Sequence, residues 1–212
     1  MRLSPTTKQI LREHKQDIID KNYQEFFYHL DKKQSRIITK VLYDAHVDFL
    51  SYMDEIPIGM FNETEYLTEL DIPNNIHSIR SYAFKECFLT EVSLPANIKQ
   101  EDIGAYVFQN CYYLSKVTFK GNGLTAIPIG MFNGCSNLKH IDLPNKLQFI
   151  GISAFRYSGI TEITLPETLL AISDYAFSPL KKIHFMGSKE QWDKVSKGEE
   201  TGIEEAIITF EK

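Results

Sequence analysis

A chain of 212 residues is long enough for one sizeable domain, or for an elongated array closed at each end. Its 23 Lys and Arg against 28 Asp and Glu give a formal net charge of −5, and with Lys181-Lys182 as the longest basic run there is no clustered basic face of the kind that nucleic-acid binding requires. Three cysteines without a C-x-x-C pair argue against a disulfide framework and a zinc site, no stretch approaches a membrane span, and the N-terminus opens no apolar signal-peptide core, so the expectation is a protein kept in a cytoplasm without a membrane partner.

Residues 1–53 carry no repeat and predict helices. Thr6 followed by Gln9 is a capping pair, and Ile10, Leu11, Ile18 and Ile19 fall close to one face of the helix it would start. A second amphipathic piece holds Tyr23, Phe26, Phe27 and Leu30, and a third holds Ile37, Ile38, Val41 and Leu42. About fifty residues are marginal for an independent core, so the economical expectation is an N-terminal helical cap over the first coil of a repeat array; the alternative is a partner-binding amphipathic module.

From Ile56 onward one phrase recurs. Phe61, Phe84, Phe108, Phe132, Phe155 and Phe177 succeed one another at about two dozen residues, each preceded by an Ile and a small residue and followed by an apolar triplet such as Leu138, Ile141 and Leu143. Residues two apart in a strand face the same side, so Leu70/Ile72, Val92/Leu94, Val117/Phe119, Ile141/Leu143, Ile163/Leu165 and Ile183/Phe185 predict one short parallel strand per repeat with these side chains inward. Pro73, Pro95, Pro144 and Pro166 stand where four of those strands would end, and proline cannot continue a ladder. Cys87, Cys111 and Cys135 occupy one position of three successive repeats and read as stacked small core residues. Gly121-Asn-Gly123 is a turn in the place where other repeats use Pro, since no Lys-Ser/Thr comes after it to make a phosphate loop.

The pattern Ile-Gly-x-x-Ala-Phe-x-x-Cys-x-x-Leu-x-x-Ile-x-Leu-Pro resembles the BspA-like subclass of leucine-rich repeats; Ile79, Ala83, Phe84, Cys87, Leu89, Val92, Leu94 and Pro95 fall on it within a single repeat. The resemblance implies a right-handed leucine-rich-repeat solenoid of the α/β repeat class, with six coils and parallel strands, over residues 54–186. The phrase Asp44 to Met53 ahead of it is similar to leaders of repeat proteins encoded by bacteriophages, which implies a phage or bacterial source, with host cytoplasm or virion as the location. Residues 187–212 read as a C-terminal cap: Ser188 and Gln191 form a capping box for a short helix that turns Trp192 and Val195 inward, and Ala206 to Phe210 repeat the strand spacing once more.

Chemistry finds little support. His14, His29, His46, His77, His140 and His184 show no H-x-x-x-H spacing, and no G-x-S-x-G occurs, so neither an enzyme nor a metal or cofactor site is expected. His140 and His184 are read as outward strand residues two repeats apart with Thr164 between them, nearly 10 Å and too far to share one ion. The candidate protein-binding residues are therefore the outward positions of a concave sheet, namely Glu69, Asp71, Glu91, Lys116, Thr118, Lys120, His140, Asp142, Glu162, Lys182 and His184. Glu91 beside Lys116, and Glu162 beside Lys182, are expected to pair across strands. Tyr82, Tyr106 and Tyr175 read as packing within the repeat phrase. The expected function is non-enzymatic binding of a protein partner through the concave sheet and adjoining N-terminal helices, as an intracellular regulator or inhibitor; the alternatives are a self-associating component of a larger assembly such as a virion and, behind it, an uncharacterised enzyme.

Overall fold

The computed structural model describes residues 4–45 and 48–212, so His46 lies outside the described residues, as does the side chain of Ile19. The leader folds into α1 (Pro5–Glu13), α2 (Lys15–Ile19), α3 (Tyr23–Tyr28) and α4 (Lys32–Asp44). The first helix begins earlier than Thr6: Ser4 is its N-cap, accepting from the Thr7 amide, and Pro5 takes the first turn, where a missing N–H costs nothing. Asp31 and Gln34 close a reciprocal capping box at the start of α4.

The leader's apolar faces meet each other and the first coil. Phe27 lies 5.7 Å from Phe49, and Phe49 lies 6.3 Å from Phe61 of the first repeat, ring centroid to ring centroid. Polar contacts finish the joint: the Gln24 side-chain oxygen accepts from the amides of Asp54 and Glu55, while Asn75 donates to the carbonyls of Leu50 and Met53. Glu55, 7% exposed, takes the Tyr28 hydroxyl and the Arg80 guanidinium, so a buried carboxylate is paired from both sides.

The strands in chain order are β1 (Glu55–Ile56), β2 (Glu69–Asp71), β3 (Ser78–Ile79), β4 (Glu91–Leu94), β5 (Lys116–Phe119), β6 (Ala126–Ile127), β7 (Phe149–Ile150), β8 (Glu162–Leu165), β9 (Ala171–Ile172), β10 (Lys182–Phe185), β11 (Ser196–Lys197) and β12 (Ile207–Phe210), with the helix α5 (Lys189–Trp192) between β10 and β11. Every pairing is parallel. One face of the solenoid carries β2-β4-β5 and β8-β10-β12; a second carries β1-β3 and β6-β7-β9-β11. A third ladder runs through the turns around the repeated Phe, where Phe84, Phe108 and Phe132 donate their amides to Val107, Met131 and Ala154 of the next coil.

One strand per repeat holds except in the fourth coil. Lys139–Pro144 carries no strand, and this gap divides the first face into its two three-stranded sheets. The array also closes with one coil more than the six expected. Phe177 donates its amide to Thr201, which stands two dozen residues further on in the place of the ring, is 1% exposed, and donates to Glu204 instead of stacking. β11 and β12 then add to the second and first faces, giving about seven turns. At this end the Ser188–Gln191 capping box forms, and Trp192 and Val195 are buried, with Trp192 edge-on to Phe185 at 5.2 Å.

The core is a column of rings. Phe61, Phe84, Phe108, Phe132, Phe155 and Phe177 stack with centroids 5.1, 5.2, 5.7, 5.5 and 5.3 Å apart and planes within 15° of parallel, the offset arrangement that aromatic quadrupoles favour. Two left-handed backbone positions flank each of the first five rings and bend the coil around it, and Phe177 has one, Tyr175. In the first coil they are Gly59 and Glu63, in the second Tyr82 and Glu86, in the fourth Gly130 and Gly134. Tyr106 takes this conformation with φ 58°, a strain that non-glycine residues rarely accept. Its ring stacks on Tyr82 at 5.4 Å and, on the other side, lies where a side chain at Gly130 would collide with it, so the tyrosines are packing elements as expected and glycine is required at 130.

Beside the column, Cys87, Cys111 and Cys135 donate their thiols to the carbonyls of Phe61, Phe84 and Phe108 at 2.6, 3.0 and 3.1 Å. Each thiol thus satisfies a carbonyl of the preceding coil. Burial pushes the Cys87 thiol from an ordinary 9.0 up to about 12 and moves Cys111 and Cys135 upward as well. Because the thiolate is the reacting species, the folded protein should resist iodoacetamide at about pH 8, while all three thiols react in denaturant. The unfolded chain loses these protons near pH 9 and the folded chain only above it, so stability should fall as pH rises from 9 toward 12. Rapid alkylation without denaturant would contradict this arrangement.

Candidate binding surface

The outward side chains of the first face form two rows set by strand register. One runs Glu69, Glu91, Lys116 and, past the gap, Glu162 and Lys182; the other runs Asp71, Ser93, Thr118 and then Thr164, His184 and Thr209. The repeat alignment puts His140 in the first row and Asp142 in the second, so Asp142, with Thr164 beside it at a small cleft, belongs to the row of His184. Residues 139–144 carry no strand, so His140 and Asp142 are not the outward strand residues that the sequence predicts, and only His184 stands in ladder register with Thr164. His140 Nε2 meets Asp142 within its own coil at 3.0 Å, and His184 Nδ1 meets the Thr209 hydroxyl at 3.1 Å. The sheet gap beside them opens a cleft of about 170 Å³ between the fourth and fifth coils.

Much of the charge on this face is spent internally. Lys116 Nζ lies 2.8 Å from Glu91 Oε2, and that hydrogen bond holds the ammonium above the ordinary lysine range. Lys120 reaches back across two coils to Asp71. Glu162 and Lys182 are opposite in register, although no ion pair joins them among the described residues. Such exposed pairs are screened by solvent, so they hold side chains in place more than they hold the fold together. Thr118 and Thr164 are exposed on either side of the sheet gap, which leaves the middle of the face polar and uncharged at these positions.

A broader groove of about 760 Å³ opens at the N-terminal end, between α1, α4 and the first coil. Ile37, Val41 and Tyr66 form its apolar floor, and Arg36, Lys40, Glu63 and Glu65 its rim. Arg36 pairs with Glu63 at 2.8 Å, and the Tyr66 hydroxyl donates to Thr39 at 2.5 Å while burial pushes its pKa up to about 12. The sequence points to the N-terminal helices, with Ile37 and Val41 on an amphipathic face, but not to Tyr66, Arg36, Lys40, Glu63 or Glu65. The aromatic residue just before the repeat Leu in the first three repeats (Tyr66, Phe88, Tyr113) was the available signal. Among the described residues no group of three or more His, Cys, Asp or Glu could hold a metal ion, and no helix is long and apolar enough to cross a membrane.

A parallel solenoid whose first six coils each place one stacked ring at the same point, with a buried Thr64, Cys87, Cys111 or Cys135 beside it in the first four, defines a leucine-rich-repeat protein. The model of the BspA type leucine rich repeat region matches six copies over residues 54–184, and the chain belongs to that family. Among solved structures it is similar to a leucine rich cell surface protein from Faecalibacterium prausnitzii, with 30% identity over 60% of this chain and 34% of that one and a TM-score of 0.55. It is also similar in fold to leucine-rich repeat proteins from Eubacterium ventriosum (20% identity, 70% of this chain and 47% of that one, TM-score 0.50) and T. pallidum (19%, 70% and 74%, TM-score 0.50). The chain thus spans a third to a half of the Faecalibacterium and Eubacterium structures. No curated protein matches it significantly.

Proposed function

We propose that the chain is a non-enzymatic protein-interaction module, with residues 1–53 as a helical leader, 54–186 as the repeat array and 187–212 as its closing segment. It binds a protein partner through the strand face and the adjoining N-terminal helices and acts as a regulator or inhibitor of that partner. One observation carries this reading: three backbone ladders fix the spacing of the coils, while the outward strand residues change from Glu to Lys to His between them. A rigid surface that varies only in its side chains loses little entropy on binding.

A second reading is display at a cell surface. It is favoured by the similarity to the Faecalibacterium protein, which is described as a cell surface protein.

Replacing Thr118 and Thr164 together by Arg puts two long charged side chains on exposed positions either side of the sheet gap. Thermal unfolding should stay where it is, and recovery of the partner by affinity capture with mass spectrometry should drop at least about tenfold. Equal recovery by both proteins would move the site onto the leader helices.

A further inference from the structure

Several aromatic rings of this chain, exposed or buried, seat a cation. Lys21 lies over Tyr52, Arg156 over both Tyr157 and Tyr175, and Lys197 over Trp192, each with the charge 4.4–4.9 Å from the ring centroid. The row that precedes the repeat Leu in the first three coils starts the same way: Lys40 of α4 lies 5.0 Å from the centroid of Tyr66. In the next two coils that row continues as Phe88 and Tyr113, whose centroids are 4.9 Å apart, with Tyr112 beside them. These three are 38%, 49% and 52% exposed, and no cation of the chain stands over them among the described residues.

The carboxylates alongside are arranged likewise. Glu91 and Asp71 hold Lys116 and Lys120, whereas Glu65, on the groove rim, and Glu69, at the exposed edge of β2, have no ion-pair partner among the described residues. Ring faces and unpaired carboxylates both attract positive charge, and together they discriminate against an anionic or purely apolar occupant.

We propose that Phe88, Tyr112 and Tyr113, with Glu65 and Glu69, form the seat for a cationic stretch of the protein partner, whose Lys or Arg side chains continue over the second and third coils the row that Lys40 begins over the first. This rests on the protein-binding reading and gives that partner a chemistry.

The test uses the full chain and a fluorescein-labelled, unstructured peptide of alternating Arg and Gly, followed by fluorescence anisotropy at low and at physiological salt. A Glu-Gly peptide and a neutral glucose hexasaccharide serve as competing probes. The Arg-Gly peptide should bind and the other two should not. Changing Phe88 and Tyr113 together to Leu, which keeps apolar bulk and removes the ring faces, should weaken binding by about tenfold. Changing Glu65 and Glu69 to Gln should weaken it and flatten its salt dependence. These side chains are exposed, so an unchanged melting temperature establishes that each variant is folded. Arg-Gly binding that survives the Leu pair would be general attraction to an acidic protein and would overturn the proposal, as would no binding at all. Saccharide binding lost in the Leu pair would make the stripe a glycan seat and overturn it equally. Failure of the peptide to bind, with partner capture still sensitive to Thr118→Arg and Thr164→Arg, would sink the cationic seat and leave the protein-binding reading standing.

Discussion

Replacing Phe108 by Ala should cost about 3–5 kcal/mol in urea unfolding, a large part of the about 5–15 kcal/mol that holds a typical domain together. Phe108 is fully buried between Phe84 at 5.2 Å and Phe132 at 5.7 Å, so truncation removes two stacked contacts and leaves a ring-sized void in the middle of the column. Neighbours on either side are themselves fixed by the turn ladder, which limits how far they can collapse into the space. Phe177→Ala should cost less, because Phe177 has a ring on one side only and Thr201 on the other. A loss below about 1 kcal/mol for Phe108→Ala, or an equal loss at the two sites, would contradict the column as the main source of stability.

Removing residues 1–53 should have a still larger effect. The cut uncovers Ile56, Met60 and Phe61, all 3% exposed or less, and each such side chain contributes roughly 1.5–3 kcal/mol when buried. It also strips the Asp54 and Glu55 amides of the Gln24 oxygen and leaves Glu55 without Tyr28, which opens both a sheet edge and a buried charge. The expected product melts lower and aggregates in size-exclusion chromatography with light scattering. A truncated chain that stays monomeric with unchanged melting would show that the leader is an independent binding module.

How far the sequence could be read depends on the size of its signals. The ring column and the inward thiols rest on Phe and Cys repeated at a fixed distance, and the C-terminal capping box on the single i, i+3 pair Ser188 and Gln191. The second face was not legible, because strands of two residues such as Ala126–Ile127 are too short to show alternation. The left-handed turn positions were hidden by tyrosines at 82, 106 and 175, although Gly59 and Gly130 stand at the same place. Thr201 concealed the seventh coil by replacing the ring that marks the others, which left its spacing from Phe177 and the repeated strand spacing of Ala206 to Phe210 as traces. On the surface, pairing is expected between adjacent strands alone, so Lys116 with Glu91 is legible while Lys120 with Asp71, two coils away, is not.

The central claim is that the strand face and the leader helices meet the partner. Hydrogen–deuterium exchange of the protein alone and with its captured partner tests this most directly. The account predicts slower exchange on binding in residues 69–71, 91–94, 116–119 and 162–165 and in α4, with the turn ladder around the repeated Phe unchanged. Protection confined to those turns, with the strand face exchanging as in the free protein, would contradict it.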